Sequence, residues 1–420
     1  MNIKKIQINN LFHTFTHKIG LNKDLTIIMG ENGVGKTVTL KLIDAVFNQH
    51  FDFLAETDFE SIILTFTKER WIITKEPRVE DGDNKCILSF STTKKDTKPY
   101  LIDSTQLYPK LPPHIVRIND DKWYNRRSHM IMSKEYIADR YPIAFQPTFP
   151  EWMSNQFNRN HVRLINTQRL FINNSSNDLK NGLAVELYSE QLSKQMQEVM
   201  SRASFTTADL DRTFPKRLVK LLKAHKKFNP SKIISDLTDL ETKRKKLSEV
   251  GLLKTIDAET IGVEELDEKD TTMLTVMHQY VQDSQQKLKQ YDRLYNRISL
   301  FSKIIDFHFK RKIMRADSSE GFVVYSIIPG EKVEKKEIPL KKLSSGEQNE
   351  LVLFYELLFK CDDKDLILID EPEISLHLEW LQTMVNDLRS IVKENKSSLL
   401  IATHSPDFIG ENYDLVQNLG

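Results

Sequence analysis

The chain has 420 residues, with 60 lysines and arginines against 59 aspartates and glutamates, so its formal net charge is +1. That balance removes any whole-molecule electrostatic case for nucleic acid or an anionic membrane, although a local basic surface stays open. Charged residues at 28% and hydrophobic ones at 40% exclude global disorder, and the length leaves room for two or three structural units.

No apolar run approaches the roughly 18 residues of a membrane span. Met1-Asn2-Ile3-Lys4-Lys5-Ile6 leads into no apolar signal-peptide core. Cys86 and Cys361 stand far apart and in no metal-ligand spacing. A cytoplasmic protein with no membrane partner is the expectation.

Ile3-Lys4-Lys5-Ile6-Gln7-Ile8 alternates like a half-buried strand, and it is expected to share a sheet with Leu25-Thr26-Ile27-Ile28-Met29. The latter runs into Gly30-Glu31-Asn32-Gly33-Val34-Gly35-Lys36-Thr37, followed by Leu40, Ile43 and Phe47 at helical spacing. Strand, glycine loop and helix in that order form a triphosphate cradle. Glycines let backbone N–H groups approach phosphate without a Cβ clash, and the helix N-terminus adds partial positive charge. Lys36 is expected to reach the β- and γ-phosphates of ATP, and Thr37 to place its hydroxyl on Mg²⁺.

Residues 59–75 and 85–91 carry strand-like runs separated by the polar turns Glu80-Asp81-Gly82-Asp83-Asn84 and Thr92 to Lys98, which makes a β-rich first lobe. From Leu111 to Phe149, Pro112, Pro113, Pro142 and Pro147 interrupt any long element, with Pro150 just beyond. Lys122, Arg126, Arg127 and Arg140 are interleaved there with Trp123, Tyr124 and Tyr141. An irregular solvated surface is the plain reading, and a nucleic-acid or protein contact is the alternative. Val162 to Leu170 begins as a strand and ends polar.

Residues 184–312 read as a helical insertion. Glu186 to Arg202 and Lys216 to His225 are expected to be separate helices broken near Pro215, and Ser231 to cap the helix after Pro230. Gly251 to Asp270 reads as a loop. Thr271 to Lys312 contains neither Gly nor Pro. Leu274, Met277, Val281, Ser284, Leu288, Tyr291, Tyr295, Ile298, Ser302 and Ile305 follow a 3,4 spacing along it. One helix of on the order of 60 Å is expected, either the seam of a short coiled-coil arm or a core helix of a bundle. Phe322 to Ile328 returns the chain to the core as a strand.

Leu343-Ser344-Ser345-Gly346-Glu347-Gln348 precedes an amphipathic helix. Leu366-Ile367-Leu368-Ile369-Asp370-Glu371 then reads as a buried strand ending in two carboxylates. Such an end can hold Mg²⁺ through Asp370 and polarise water through Glu371. Leu399-Leu400-Ile401-Ala402-Thr403-His404 ends another buried strand where α/β sheets bind ligands, which favours a γ-phosphate contact for His404.

These segments, in this order, resemble ABC-type ATPases of the branch that includes SMC, RecF and OLD proteins. The likeness covers roughly residues 1–110 and 320–410 and leaves the middle unmatched. It implies an α/β P-loop core with a β-rich first lobe, interrupted by a helical or short coiled-coil insertion. The domains expected are residues 1–183, 184–312 and 313–420. In that family Gly30 to Thr37 correspond to the Walker A motif, Asp370 to the Walker B aspartate and Glu371 to the catalytic glutamate. Ser344 to Glu347 correspond to the signature, with Ser345 in place of its first glycine, Glu371 to His377 to the D-loop region, and His404 to the switch histidine. Gln168 is a candidate for the Q-loop glutamine on Mg²⁺.

The resemblance further implies ATP hydrolysis with Lys36, Glu371 and His404 as catalytic residues. ATP contacts come from the phosphate loop and, across a head-to-tail homodimer or higher oligomer, from Ser344, Gly346 and Glu347. Leu164-Ile165-Asn166-Thr167-Gln168-Arg169-Leu170, the signature and Ala402-Thr403-His404-Ser405-Pro406 also resemble compact ATPases of prokaryotic anti-phage defence, such as PtuA of Septu and AriA of PARIS. That implies an ATPase switch controlling a separate effector protein, since no OLD-type nuclease segment is expected after His404. A DNA-binding repair or chromosome-maintenance ATPase of the RecF or SMC kind is the alternative. A non-enzymatic ATP-binding module and a transporter subunit fit less well, because Glu371 and His404 serve hydrolysis and a long insertion divides the core.

Overall fold

The computed structural model describes residues 3–77, 86–104, 107, 111–119, 122–133, 136–137, 140, 148–172, 182–253, 270–327, 336–374 and 376–419. They divide into two units, Met1–Asn181 with Phe359–Gly420, and Gly182–Leu358. The expected turn at residues 80–84 lies outside the described residues, as do Tyr141, Pro142, Pro147, Ile328, Ser375 and most of the expected 251–270 loop.

In the first unit the elements are β1 (Ile3–Leu11), β2 (Phe15–Gly20), β3 (Leu25–Met29), α1 (Lys36–Phe47), α2 (Phe51–Glu56), β4 (Ser61–Phe66), β5 (Arg70–Pro77), β6 (Cys86–Thr92) and β7 (Tyr100–Asp103). After these come α3 (Glu151–Phe157), β8 (Val162–Ile165), β9 (Leu366–Asp370), α4 (Leu378–Asn395), β10 (Ser398–Thr403) and β11 (Val416–Asn418). Two sheets result. One is antiparallel, in the order β2-β1-β4-β5-β6-β7, and the other is parallel, in the order β8-β9-β10-β3-β11.

The expectation that β1 and β3 share a sheet is overturned, and polarity explains it. In β1 the exposed Lys4 and Lys5 are interspersed with buried Ile3, Ile6 and Ile8, so one face can stay wet in an antiparallel sheet. In β3, β9 and β10 the apolar residues run consecutively, which requires cover on both faces. Helix α1 supplies part of that cover. It packs on β8, β9 and β10, and its Leu40, Leu42, Ile43 and Val46 share one core with Ile6, Ile8, Ile62 and Leu64 of the antiparallel sheet. Trp71 closes this core, its ring meeting Phe66, Trp152 and Phe157 edge-on at 5.5, 5.2 and 5.7 Å.

The proline-rich stretch is less irregular than expected. Strands Ile115–Asn119, Lys122–Asn125 and Met130–Ser133 form an antiparallel sheet around Ile115, Trp123, Met132 and Ile137. Trp123 is therefore a core residue and not a stacking platform, while Lys122, Arg126 and Arg127 are exposed.

In the second unit, Ala184–Lys223 is one helix of 40 residues, correcting the expected break at Pro215. A proline inside a helix removes one N–H and crowds the carbonyls a turn earlier. The carbonyl that loses its helical donor is that of Asp211, and the Leu210 carbonyl beside it accepts from Arg217 Nη2 at 2.7 Å and from the Thr213 hydroxyl at 3.3 Å, so side chains brace the turn before the proline. Arg217 also pairs with buried Asp283, which takes a second bond from Gln279 at 2.8 Å.

The helix Pro230–Glu249 is capped by Asn229, not Ser231: the Asn229 carboxamide oxygen accepts from Ser231 N–H at 3.0 Å, with Pro230 in the first turn. The single long helix expected over 271–312 is two helices, Thr271–Lys289 and Asp292–His308, and strand Lys312–Asp317 has begun by its end. Most of the predicted seam is buried, including Leu274, Met277, Val281, Leu288, Tyr291, Ile298 and Ile305. Thr271–Lys289 packs against both Ala184–Lys223 and Pro230–Glu249, which makes it a bundle helix. Strands Lys312–Asp317, Gly321–Ser326 and Lys336–Ile338 form an antiparallel sheet, and the unit ends in helix Ser345–Phe359.

Replacing Trp71 by Ala removes the ring at the centre of the aromatic cluster and should cost about 3–5 kcal/mol of folding free energy. Urea unfolding followed by circular dichroism checks this; a loss under about 1 kcal/mol would mean the cluster does not hold the first unit together.

Candidate functional site

The loop between β3 and α1 is shaped by its glycines in two ways. Gly33 and Gly35 have φ of +92° and +87°, a left-handed conformation that side chains disfavour. Gly30 is needed for space: a Cβ there would lie 2.6 Å from the Leu419 carbonyl oxygen, just past β11, and 2.9 Å from Val34 Cγ2. The loop is also held from β2, where the buried His17 ring donates from Nε2 to the Val34 carbonyl at 2.9 Å. Lys36 is buried, and its ammonium donates to the carbonyls of Gly30 at 2.7 Å and Glu31 at 3.1 Å. Asn32 and Gly33 are exposed at the loop's outer side.

Parallel pairing brings the carboxyl ends of β9, β10 and β3 side by side. At that edge Thr37 Oγ1 lies 3.0 Å from each Asp370 carboxylate oxygen, joining residues 333 positions apart. The Thr167 hydroxyl, beyond β8, lies 3.1 Å from Asp370 Oδ2. Glu371 takes a φ of +46°, rare for a residue with a side chain, while its N–H donates to the Ala402 carbonyl at 2.9 Å. This turn lets successive carboxylates serve different neighbours: Asp370 meets Thr37, and Glu371 Oε2 lies 2.6 Å from His404 Nδ1. Arg169 donates to the Pro372 carbonyl at 3.2 Å and steadies the chain after the turn. Burial pushes the Glu373 carboxyl above the usual carboxylate range, although the Thr403 hydroxyl bonded to it pulls the other way.

The signature lies in the second unit. Ser344 and Glu347 cap the helix Ser345–Phe359 reciprocally: Ser344 N–H donates to Glu347 Oε2 at 2.9 Å, and Glu347 N–H donates to Ser344 Oγ at 3.3 Å. Lys312 donates to Glu347 Oε1 at 2.5 Å. Burial raises the Glu347 carboxyl, but Lys312 and the Ser344 N–H outweigh it and hold the group below its ordinary value. Ser344 and Ser345 are exposed and Gly346 is buried.

The structure thus brings Lys36, Thr37, Asp370, Glu371 and His404 to one sheet edge, while Gln168 is exposed one residue past Thr167. His17, Thr167, Glu373 and Lys312 were not singled out from the sequence. For Thr167 the missing signal is strand order, since nothing local says that β8 neighbours β9. Glu373 stood in view, two residues after Glu371, but only its burial distinguishes it.

Burial lowers the His17 pKa below 6.5, with the bond to Val34 opposing it. The unfolded chain therefore takes up this proton more readily, so stability is present above 6.5 and is lost as pH falls below it. Thermal melts at about pH 7.5 and 5.5 should show a drop for the natural chain and a shallower one for His17→Gln; equal drops would remove His17 from the loop's support.

The chain matches the AAA ATPase domain family over residues 1–409. No curated protein matches it. Among solved structures it is similar to the Smc head domain from Pyrococcus furiosus that carries an extended coiled coil and the bound C-terminal domain of ScpA. The identity is 13%, 97% of this chain and 91% of that chain are covered, and the TM-score is 0.37. It is also similar to the SMC head domain from Thermotoga maritima, at 12% identity, 100% and 94% coverage and a TM-score of 0.35. With the phosphate loop and the two carboxylates assembled at one sheet edge, and a family match spanning both units, the chain belongs to the AAA ATPase domain family.

Proposed function

We propose that this ATPase is an ATP-gated, dimerising switch of the ABC type found in SMC, RecF and OLD proteins. The observation that carries the reading is the joint placement of Thr37 against Asp370 and of Glu371 against His404. In the nucleotide-bound form the Lys36 donors, now on the loop's own carbonyls, turn to the β- and γ-phosphates. The hydroxyl of Thr37 and the carboxylate of Asp370 are an oxygen-only donor pair that fits Mg²⁺, which supplies charge neutralisation on the phosphates. Gln168 is the proposed further contact on that side.

Glu371 accepts a proton from the attacking water as general base, and His404 orients Glu371 and contacts the γ-phosphate. Each chain has one phosphate loop and one signature, so two copies arranged head to tail form two complete sites. Exposed Ser344, with the helix N-terminus at Gly346 and Glu347, meets the partner copy's γ-phosphate. ATP then bridges two subunits and hydrolysis releases them.

The biological reading we favour is a cytoplasmic regulatory ATPase of an anti-phage defence system that controls a separate effector protein. A DNA-repair or chromosome-maintenance role is the second reading, favoured by exposed Lys122 on the small sheet and exposed Arg126 and Arg127 in its hairpin turn. DNA-stimulated hydrolysis that falls steeply with salt would select it.

Lys36→Ala should weaken ATP binding by about a hundredfold. Glu371→Gln should bind ATP, slow hydrolysis by about 10²–10⁴-fold and accumulate as a dimer. Sedimentation of Glu371→Gln with and without ATP is the direct test, and a monomer under both conditions would exclude composite sites.

A further inference from the structure

Beside the oxygen-only pair of Thr37 and Asp370 stands a second group of different chemistry. Glu371, Glu373 and His404 each offer one donor atom, and the three atoms lie within 4.8 Å of one another. His404 Nδ1 is 2.6 Å from Glu371 Oε2 and 3.9 Å from Glu373 Oε1. The side chain of Glu373 is only 7% exposed. Its Oε1 takes the Thr403 hydroxyl, but its buried Oε2 has no hydrogen-bond partner among the described residues.

A buried carboxylate oxygen without a donor is costly, and a second carboxylate close by makes it more so. Nothing in hydrolysis by Glu371 and His404 calls for Glu373. A cation held by Glu371, His404 and the Glu373 carboxylate, whose Oε1 faces His404, offsets that cost.

We propose that Glu371, Glu373 and His404 form a binding site for a transition-metal dication of the Zn²⁺ type, separate from the Mg²⁺ position. One imidazole nitrogen with two carboxylates suits Zn²⁺ better than Mg²⁺, which favours oxygen alone. Tetrahedral Zn²⁺ with bonds of about 2.0–2.2 Å spaces its donors by about 3.3 Å. The observed 2.6 and 3.9 Å bracket that spacing and no pair exceeds 4.8 Å, so side-chain shifts up to about 1.5 Å complete the shell. The His404 side chain is 47% exposed, so the ion can enter from solvent and keep a water in its fourth position.

The regulatory consequence rests on the ATPase reading above. A Zn²⁺ held by Glu371 and by His404 Nδ1 lowers the basicity of Glu371 and replaces the contact by which His404 orients it, so the base takes the proton of the attacking water less readily. The site is then a metal-operated brake on hydrolysis that chelation releases.

The test separates the site from the activity. Zn²⁺ is titrated calorimetrically into chelator-washed, nucleotide-free Lys36→Ala protein, which keeps all three ligands. One equivalent should bind, and Glu373→Gln or His404→Ala added to that background should each weaken it by at least about tenfold. His404 is half-exposed, so its variant reports even if Glu373→Gln fails to fold. No binding, or binding that neither substitution alters, overturns the site. In a second arm, Zn²⁺ added to the natural chain with excess Mg²⁺ and ATP should stop hydrolysis, and a chelator should restore it. Glu373→Gln should resist the inhibition. Persistent hydrolysis with Zn²⁺ bound would overturn the brake. An inactive natural chain would instead refute the ATPase reading, with the titration still deciding the metal site.

Discussion

The bond between the Thr37 hydroxyl and the Asp370 carboxylate is the constraint on which the rest of the site depends, because it ties the start of α1 to the end of β9 across 333 positions of chain. Neither group alone does chemistry. The bond requires β9, β10 and β3 to lie in parallel register, so that Asp370 stands beside Ala402 and Thr403 stands beside Met29. Parallel strands must be buried on both faces, and α1, lying between the two sheets, carries the phosphate loop at its N-terminus while covering one of them. Folding energy and site geometry are thus set by the same packing.

A second theme is the separation of neighbouring carboxylates. Asp370 lies in strand geometry and faces Thr37, whereas the left-handed backbone at Glu371 sends the next carboxylate to His404. Pro372 follows at once, and Arg169 fastens its carbonyl. Glu373 then drops back among buried groups beneath Thr403. Three acids within four positions consequently occupy three environments, and environment determines what a carboxylate can do.

The helical unit shows where local signals lose to tertiary ones. A proline predicts a break, yet the Arg217 and Thr213 side chains bind carbonyls of the preceding turn and the helix continues. The absence of Gly and Pro over 271–312 predicts one helix, yet the chain divides near Tyr291 so that Thr271–Lys289 can pack on two partners. Helix propensity differs by fractions of a kcal/mol among ordinary residues and by about 3 kcal/mol for proline, while each of several buried side chains contributes about 1.5–3 kcal/mol, so packing prevails.

The residue order alone determined the phosphate loop, the buried strands ending in Asp370 and His404, and the helix start at Ser344. Each is a local pattern in which residue type and spacing directly encode backbone geometry. Only the tertiary structure decided that β1 and β3 belong to different sheets, that Trp123 is core, and that Thr167 reaches Asp370. It also decided that Glu373 is buried beside Thr403, at the carboxyl end of β10. The physical reason is common to all four: strand partners and burial are fixed by contacts between distant segments, and a one-dimensional pattern carries which face is apolar but not what covers it.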